Sequence, residues 1–380
     1  MTGIALKMLF ADPVKLCGLV LGIAFSALLM TQQGGFFIGL ISRSANIVVE
    51  ASGVDVWVID PQTETAEAPT SMRDIELFRV RGVEGVSQAV PLVLVNATLR
   101  TADGRSATAG FLGIDDATLL GINPKFVVGV PEDLRRPDAI AIDQLGYSRL
   151  WPGEPFVAGK TLEVNDRRAV VVAITSALPG FTAPVVVYTR LNQARAFVPG
   201  GRKRLSFILV QAQPGIAAED LTQRIEVQTG LRAFTTVGLQ RQTINYVLNN
   251  TGIAPSFGVV IALGAIVGVL VSGLTFTLFV NDNLKQFAVL KAMGVSGLRI
   301  LGMVVTQALV VAFLGYSFGL WVASLFFDAV DQPLSDLKGF WLPWQIAAMV
   351  GGAIVIIVLI ASVGAIRRVL SLDPATVFRA

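Results

Sequence analysis

The amino-acid sequence predicts a membrane α-helical protein with four transmembrane helices and a large α+β extracytoplasmic domain inserted between helices 1 and 2. The 380 residues are 53% hydrophobic and have a mean hydropathy of +0.66, which is too apolar for an ordinary soluble protein. Charged residues are concentrated in residues 42–250, which hold 21 Lys and Arg and 21 Asp and Glu. Long uncharged runs beside such a segment indicate a membrane part and a water-exposed domain.

The first predicted span follows a short N-terminal segment. Residues 1–13 form an amphipathic stretch that ends at Pro13, and we expect it on the cytoplasmic side of the membrane. Residues 14–41 carry no charge except Lys15, and a run of this length crosses a hydrocarbon core of about 30 Å, so it predicts transmembrane helix 1. A cleaved signal peptide is the alternative. The apolar run continues past Met30 without a small-x-small cleavage site, which favours a span.

Residues 42–250 predict the α+β domain. Runs rich in β-branched residues, typical of strands, occur at residues 54–59, 89–99, 168–175, 184–189 and 205–211. Two stretches, 71–81 and 217–229, have helical spacing instead. The second begins with Glu219 and Asp220, acidic residues that suit a helix N-terminus.

Three further uncharged runs complete the membrane part. They predict transmembrane helices 2, 3 and 4 at residues 256–280, 301–327 and 341–366. The intervening segments are a cytoplasmic segment at 281–300, an outer loop at 328–340 and a cytoplasmic tail at 367–380. Trp341 and Trp344 lie where an interfacial aromatic belt places such residues.

The positions of the charges predict the orientation. The two termini and residues 281–300 together hold eight basic residues and three acidic residues, whereas residues 42–250 are neutral overall. Basic flanks of membrane helices face the cytoplasm, so we expect both termini inside the cell and residues 42–250 outside it.

The segment at residues 281–300, NDNLKQFAVLKAMGVSGLRI, has a pattern of its own. Leu284, Phe287, Ala288 and Lys291 follow the spacing of one helix face. Gly294 then breaks the pattern, at a point where a helix would end. The residues alone allow either a short amphipathic helix at the membrane surface or an ordinary connecting loop.

The run from Gln286 to Gly294, QFAVLKAMG, resembles the coupling segment of one group of ABC transporter permeases. The group includes the macrolide exporter MacB, the LolC/LolE pair and FtsX, and the resemblance is closest to DevC-like permeases of the heterocyst glycolipid exporter type. Leu372-Asp-Pro-Ala375 resembles the C-terminal ending of the same family. Gln286 departs from the acidic residue usual at its position, which leaves open what pairs with the ATPase there.

The resemblance implies that the 281–300 helix sits in a groove of a separate ATPase subunit. It assigns coupling to the ATPase to six residues: Gln286, Phe287, Leu290, Lys291, Met293 and Gly294. Phe287, Leu290 and Met293 follow one another at three-residue steps, from which we expect a single apolar ridge facing that groove.

The resemblance also implies the cofactors, partners and location. ATP is expected on the partner subunit, so that this chain is not itself an enzyme and holds no cofactor. The expected partners are an ABC ATPase, a second copy of the chain, a periplasmic adaptor (membrane-fusion) protein, an outer-membrane channel and membrane lipids. The expected location is the bacterial inner membrane, with both termini cytoplasmic.

Several chemistries are excluded or disfavoured by the residues. The chain contains no histidine and one cysteine, so Ser-His-Asp catalysis, Cys-His catalysis, histidine-containing metal sites and an intrachain disulfide are excluded. Gly159-Lys-Thr161 resembles the end of a phosphate loop, but Glu154 stands where the motif needs glycine. The predicted spans have no Asp, Glu, Lys or Arg in their interior, which argues against an ion-coupled carrier. We therefore predict no catalytic, cofactor or metal residues.

Small residues recur at four-residue spacing in the spans, which allows helix backbones to approach closely. The pairs predicted to pack helices are Gly264 with Gly268 and Gly315 with Gly319.

Two classes of function remain after these arguments. The first is a membrane subunit driven by a separate ATPase. It is either the permease of an exporter that expels an amphiphile such as a lipid, lipoprotein, peptide or drug, or an FtsX-like regulator of cell-wall hydrolases. The second is a membrane-anchored sensor. A neighbouring ATPase gene separates these classes, and an adjacent adaptor gene separates export from regulation.

Overall fold

The computed structural model describes residues 2–122, 125–180, 183–198, 204–332, 335 and 337–370. The chain separates into two compact units. We call the first the helical unit, made of Met1–Ile38, Ile253–Val330 and Phe340–Ala380. We call the second the inserted domain, made of Gly39–Gly252 and Asp331–Gly339.

The helices of the described residues are numbered in chain order. They are α1 (Thr2–Phe10), α2 (Pro13–Arg43), α3 (Asn46–Glu50), α4 (Ile75–Arg81), α5 (Gln144–Leu150), α6 (Leu191–Phe197), α7 (Ala218–Thr229), α8 (Thr236–Asn250), α9 (Ile253–Asp282), α10 (Leu284–Ala292), α11 (Gly297–Val330) and α12 (Trp344–Leu370).

Four of these helices are long and apolar enough to cross a membrane. They are α2, α9, α11 and residues 344–367 of α12, with mean hydropathies of 2.0, 2.5, 2.0 and 2.8. The inserted domain follows the first of them, as predicted. The predicted fold class is therefore confirmed.

The helix ends differ from the sequence-based bounds by a few residues. Helix α11 continues through Asp328 to Val330 before the chain leaves it. Helix α12 begins at Trp344 rather than Trp341, directly after Pro343. A residue that precedes proline is disfavoured in helical conformation, which explains the later start. The predicted tail at 367–380, including Leu372-Asp-Pro-Ala375, lies outside the described residues beyond position 370.

Helix α2 packs against α9 and α11 through the four predicted glycines. A Cβ added at Gly319 would lie 2.5 Å from the carbonyl oxygen of Ala24 and one at Gly315 would lie 2.7 Å from Ile23 Cβ. On α9, a Cβ at Gly268 would lie 2.5 Å from Ser26 Oγ. The Ser26 hydroxyl donates to the carbonyl of Gly264 at 2.7 Å. Glycine is thus what permits these backbones to approach.

The inserted domain is built on a ten-stranded mixed sheet, and its second and tenth strands pair in a separate two-stranded sheet. The strands of the described residues are β1 (Val56–Ile59), β2 (Met72–Arg73), β3 (Val86–Arg100), β4 (Ser106–Ile114), β5 (Phe126–Val128), β6 (Ala139–Asp143), β7 (Thr161–Val164), β8 (Arg167–Thr175), β9 (Val185–Arg190), β10 (Arg204–Leu205), β11 (Phe207–Ala212) and β12 (Arg232–Thr235). The order in the main sheet is β12-β1-β11-β3-β4-β9-β6-β8-β5, and β7 pairs with both β3 and β8.

The pairing is antiparallel except for β4 with β9 and β6 with β8. Strand β3 is the longest and pairs with β11 along its first half and with β4 along its second. Helices α4 and α7 have buried faces in one core cluster of the domain, while α5 and α6 contribute Tyr147 and Phe197 to another. The five predicted strands and two predicted helices all occur, with shifted ends.

Candidate functional site

Helix α10 forms the centre of the predicted coupling segment. It is shorter than 281–300, since it begins at Leu284 and ends at Ala292. Asn283 precedes it, and the Asn283 side chain donates to the carbonyl of Phe279 at the end of α9 at 2.8 Å. The chain therefore turns directly from α9 into α10, which favours a structured helix over an irregular connecting loop.

The two halves of α10 differ sharply in exposure. Phe287, Ala288 and Leu290 are 1%, 0% and 9% exposed, and they belong to the core of the helical unit. The exposed half contains Lys285, Gln286, Val289, Ala292 and Met293, with Met293 68% and Val289 42% exposed. These five residues, which we call the α10 outer face, span about 100° to 120° of the helix at roughly 100° per residue.

The predicted apolar ridge is therefore not formed. Phe287 and Leu290 are buried within the chain, while Met293 lies on the α10 outer face. The geometry explains the difference, because three residues turn a helix by about 300° and two such steps leave the side chain about 120° from its start. Lys291 is half-buried and lies on the same half of the helix as Phe287.

The buried half of α10 shares its core with α1. Ala5, Met8 and Leu9 of α1 are buried in the same cluster as Phe287 and Leu290. The fully buried Gln307 of α11 donates from Nε2 to the carbonyl oxygen of Ala5 at 2.8 Å. Ala5, Met8 and Leu9 thus pack within the helical unit. The amphipathic character of this segment stays a prediction, since the exposed side of α1 carries Ile4 and Phe10 as well as Lys7.

Charged residues fasten α2 to the end of α9 beside this site. The Lys15 ammonium lies 2.7 Å from a carboxylate oxygen of Asp12 and 2.6 Å from one of Asp282. All three side chains are more than a third exposed, so these ion pairs contribute little to the free energy of unfolding.

Gly294 ends α10 in a defined conformation. Its φ is +89°, a left-handed value that glycine adopts without strain. The Gly294 N–H donates to the Lys291 carbonyl, and the Val295 N–H donates to the Leu290 carbonyl, both at 3.1 Å. This pair of bonds is the Schellman motif, in which glycine reverses the chain after the last turn. Helix α11 then starts three residues later, so the turn sets the direction of α11 relative to α10.

The exposed surface of α10 has mixed polarity. The α10 outer face presents the apolar side chains of Val289 and Met293 beside the polar Lys285 and Gln286. The opposite half of the helix is embedded in the core that α2, α9 and α11 share. Among the residues that the structure describes, no group of three or more Cys, Asp or Glu residues is placed to hold a metal ion.

The sequence pattern missed three residues of the outer face, Lys285, Val289 and Ala292. A helical wheel alone places them opposite Phe287 and Leu290, but it does not say which half the protein buries. That choice depends on the core cluster that Phe287 and Leu290 share with residues of α1 and of the long helices, and this cluster has no local signal in residues 281–300.

Models of two protein families match the chain. Residues 258–374, a range that includes α10 and the turn at Gly294, match the family described as FtsX-like permease C-terminal. Residues 16–228, more than half of the chain, match the family described as MacB-like periplasmic core domain.

Relatives of similar length share both regions. An uncharacterized ABC transporter permease of Mycobacterium tuberculosis is 26% identical over 344 residues, which cover 88% of this chain and 87% of the relative. One of Mycobacterium bovis is 28% identical over 347 residues, with the same shares covered. Among solved structures, the periplasmic region of MacB from Actinobacillus actinomycetemcomitans aligns with 54% of this chain and 96% of its own, at 13% identity and a TM-score of 0.37.

Proposed function

This chain belongs to the ABC transporter permeases of the MacB and FtsX family, and we propose that it is the membrane subunit of an ATP-driven export complex. In this proposal a separate ATPase subunit binds the α10 outer face, and its movement passes through the helical unit to the inserted domain. The domain then expels an amphiphilic substrate from the outer side of the membrane. The finer assignment to the DevC-like group stays a prediction.

The observation that carries the proposal is the division of α10 into a buried half and an exposed half. Phe287 and Leu290 anchor the helix in its own core, while Val289 and Met293 leave an apolar surface uncovered. Fully burying side chains of this size against a partner contributes about 1.5 to 3 kcal/mol each. The permease family provides the class of partner, an ABC ATPase. Coupling is therefore assigned to the outer face, with Phe287, Leu290 and Gly294 fixing its position.

The orientation in the proposal follows from charge. Lys285 lies on the α10 outer face, and Lys15 lies at the start of α2 beside the end of α9. Basic residues at span ends favour the cytoplasmic side, where ATP and the ATPase are found. We place both termini and α10 in the cytoplasm, and the inserted domain outside, in a bacterial inner membrane.

The proposed assembly contains two copies of the chain and two ATPase subunits, with a periplasmic adaptor and an outer-membrane channel in cells that have two membranes. Large apolar side chains remain exposed along α9, among them Leu263, Leu270 and Leu274 at 53%, 65% and 65%. They follow helical spacing on one side, a surface suited to lipid or to a second copy of the chain.

Substitutions on the two halves of α10 test the coupling assignment. Val289→Asp and Met293→Asp place a charge on the outer face, so ATPase recovery in a pull-down from membranes is expected to fall at least about tenfold. The amount of permease in the membrane should stay normal. Phe287→Asp should instead lower the amount of permease, because it buries an unpaired carboxylate in the core of the helical unit.

Val227→Asp is the matched control. Val227 is 86% exposed on α7 of the inserted domain, so its substitution adds the same charge far along the chain from α10. It should leave ATPase recovery unchanged. Normal recovery of the ATPase with both Val289→Asp and Met293→Asp would remove the coupling role of the outer face.

Single cysteines test the orientation in a Cys17→Ala background. Ser106 and Ser296 are both exposed, the first at the start of β4 and the second just before α11. A membrane-impermeant thiol reagent should label Ser106→Cys in intact spheroplasts and Ser296→Cys only after permeabilisation. The reverse pattern would invert the proposed topology.

A further inference from the structure

The connection between α11 and α12 groups with the inserted domain and not with the helices. We call residues 331–339 the strap, of which the structure describes residues 331, 332, 335 and 337–339. The chain consequently passes between the two units four times, at 38–39, 252–253, 330–331 and 339–340. The strap thus ties α11 and α12 to the domain, just as the two ends of the insertion tie α2 and α9.

Lys338 holds the strap from both its side chain and its backbone. The half-buried Lys338 ammonium donates to Oε1 of Gln144, at the start of α5, at 3.3 Å. Its carbonyl oxygen accepts a hydrogen bond from Nη2 of Arg43 at 2.7 Å. Two parts of the domain that are far apart in sequence therefore meet at one strap residue.

Close backbone packing extends this contact at the next residue. Gly339 has a φ of +84°, and a Cβ there would lie 3.3 Å from both methyl carbons of Leu178. The Leu178 N–H in turn donates to Oε1 of Glu50 at 2.7 Å. The Glu50 carboxylate is also attracted to the charge of Lys338. The strap is therefore held by Arg43, Gln144 and Leu178, and Glu50 holds the backbone of Leu178.

We propose that the strap is a second mechanical link from the membrane helices to the inserted domain, and that Lys338 is the positioning residue that fastens it to α5. The inference rests on the proposed function for the movement that it transmits. The fastening itself does not depend on that function. If the strap were only a loop that joins two helices, removing the Lys338 ammonium would change neither the strap nor the domain.

The fastening is tested by hydrogen–deuterium exchange of the full chain in nanodiscs. Lys338→Met keeps the length of the side chain and the carbonyl bond to Arg43 but removes the ammonium. Backbone amides of the peptide at 331–340 should then exchange about tenfold faster, as expected for loss of one hydrogen bond from a charged group. Gln144→Met removes the acceptor and should have the same effect.

Two control variants identify the cause of a change. Lys338→Arg restores a charged donor and should return exchange to the level of the natural chain. Lys125→Met removes an exposed lysine elsewhere in the inserted domain and should leave the strap unaffected. Unchanged exchange at 331–340 in Lys338→Met, or failure of Lys338→Arg to rescue, overturns the fastening.

Transmission is tested in the complex with its ATPase trapped by ATP and vanadate. In the natural chain, trapping should change exchange both in α8 and in the peptide at 139–150, which contains β6 and α5. Lys338→Met should lose at least about half of the change at 139–150 and keep the change in α8.

The outcomes separate the two proposals. No response to trapping anywhere in the inserted domain of the natural chain removes the proposed function, and with it the transmitting role, while the resting exchange still decides the fastening. A full response at 139–150 in Lys338→Met leaves the proposed function standing and overturns the strap as a link.

Discussion

The helical unit and the inserted domain are stabilised by different means. In the helical unit, backbones approach at glycines, as where Gly319 meets the carbonyl of Ala24. In the inserted domain a mixed sheet buries apolar side chains together with acidic groups, among them the fully buried Asp143. Apolar burial drives folding in water but does not drive association between helices in lipid. The helical unit should therefore respond to added volume, and the domain to proton concentration.

The largest expected effect comes from a large side chain placed between two packed helices of the helical unit. Gly319→Leu places a side chain where even a Cβ would lie 2.5 Å from the Ala24 carbonyl and 3.1 Å from the Leu28 nitrogen. Backbone atoms cannot move aside as a flexible side chain does, so α2 and α11 must separate. We expect the free energy of unfolding to fall by several kcal/mol, at or above the upper end of what overpacking costs. Size-exclusion chromatography in detergent should then show little folded protein.

Gly302→Leu provides a control on the same helix. Gly302 also lies in α11, but a Cβ added there meets no other atom within 4 Å. Leucine also favours a helix over glycine by roughly 1 kcal/mol, so this variant should be as stable as the natural chain or more so. Equal yields of folded protein from the two leucine variants would contradict close packing at Gly319.

The second prediction concerns protons in the inserted domain. The pKa of Glu50 is raised from an ordinary 4.5 to about 7, chiefly by burial and also by the nearby Asp143. The Leu178 N–H, the Tyr188 hydroxyl and the charge of Lys338 act in the opposite direction and only partly offset the burial. The Tyr188 hydroxyl in turn has its pKa raised well above 10.0, chiefly by burial. Burial also raises the pKa of Asp143 from 3.8 to about 6.

The direction in which stability changes with pH depends on whether the folded or the unfolded state binds more protons. Between about pH 4.5 and 7 the folded protein keeps a proton on Glu50 that the unfolded chain has released. The free energy of unfolding must then decrease as the pH rises through this window. The total loss is on the order of a few kcal/mol, at about 1.4 kcal/mol for each unit of pKa difference.

Glu50→Gln should flatten this dependence and raise the unfolding temperature at pH 8. The glutamine oxygen can still accept from the Leu178 N–H, so the hydrogen bond is kept. A residual slope of the free energy of unfolding against pH is expected from Asp143. This residue is left unsubstituted, because its two oxygens accept from the N–H groups of Gly146 and Val186. Thermal unfolding followed between pH 5 and 8 measures both slopes.

Glu163→Gln is the matched control, since Glu163 is exposed on β7 of the same domain. It should leave the pH dependence as in the natural chain. If Glu50→Gln and Glu163→Gln gave the same slope, burial of Glu50 would have no thermodynamic consequence and the proposed contrast between the units would fail.

The two units also differ in how far the sequence determined them. The spans were predictable because uncharged runs of about 25 residues have few other structures open to them. Strand β4 was not predicted, since Ala107, Ala109, Gly110 and Gly113 resemble a loop more than a strand. Gly113 is needed there because a Cβ would lie 2.6 Å from Ala194 Cβ of α6. Such a requirement comes from packing and leaves no local pattern.

The same limit applied to the candidate site. Residues 281–300 alone allowed either a helix that ends near Gly294 or a connecting loop, and the resemblance to the permease family favoured the helix. The sequence did not show which half is exposed, because Phe287 is buried in a core cluster that also contains distant parts of the chain, among them α1. Local periodicity defines the faces of a helix, and only tertiary packing decides which face is left for a partner.

The smallest expected effect compares one buried hydroxyl in each unit. Ser26 Oγ donates to the carbonyl of Gly264 at 2.7 Å in the helical unit, and Thr189 Oγ1 donates to the carbonyl of Ala139 at 2.8 Å in the inserted domain. Both residues are fully buried. Ser26→Ala should lower the free energy of unfolding by about 0.6 kcal/mol, because hydrogen bonds between membrane helices are weak on average. The Gly264 carbonyl also keeps its place in the α9 backbone.

Thr189→Val should cost more, about 1 to 2 kcal/mol, because it leaves the Ala139 carbonyl and the Gln193 side chain without this hydroxyl. Valine keeps the branched shape that β9 packs, so the difference reports the hydroxyl and not a cavity. Unfolding of both variants in mixed micelles, under one set of conditions, gives the two costs. A Ser26→Ala cost equal to or above that of Thr189→Val would mean that α2 and α9 are held together by this hydrogen bond as much as by close packing at Gly264 and Gly268.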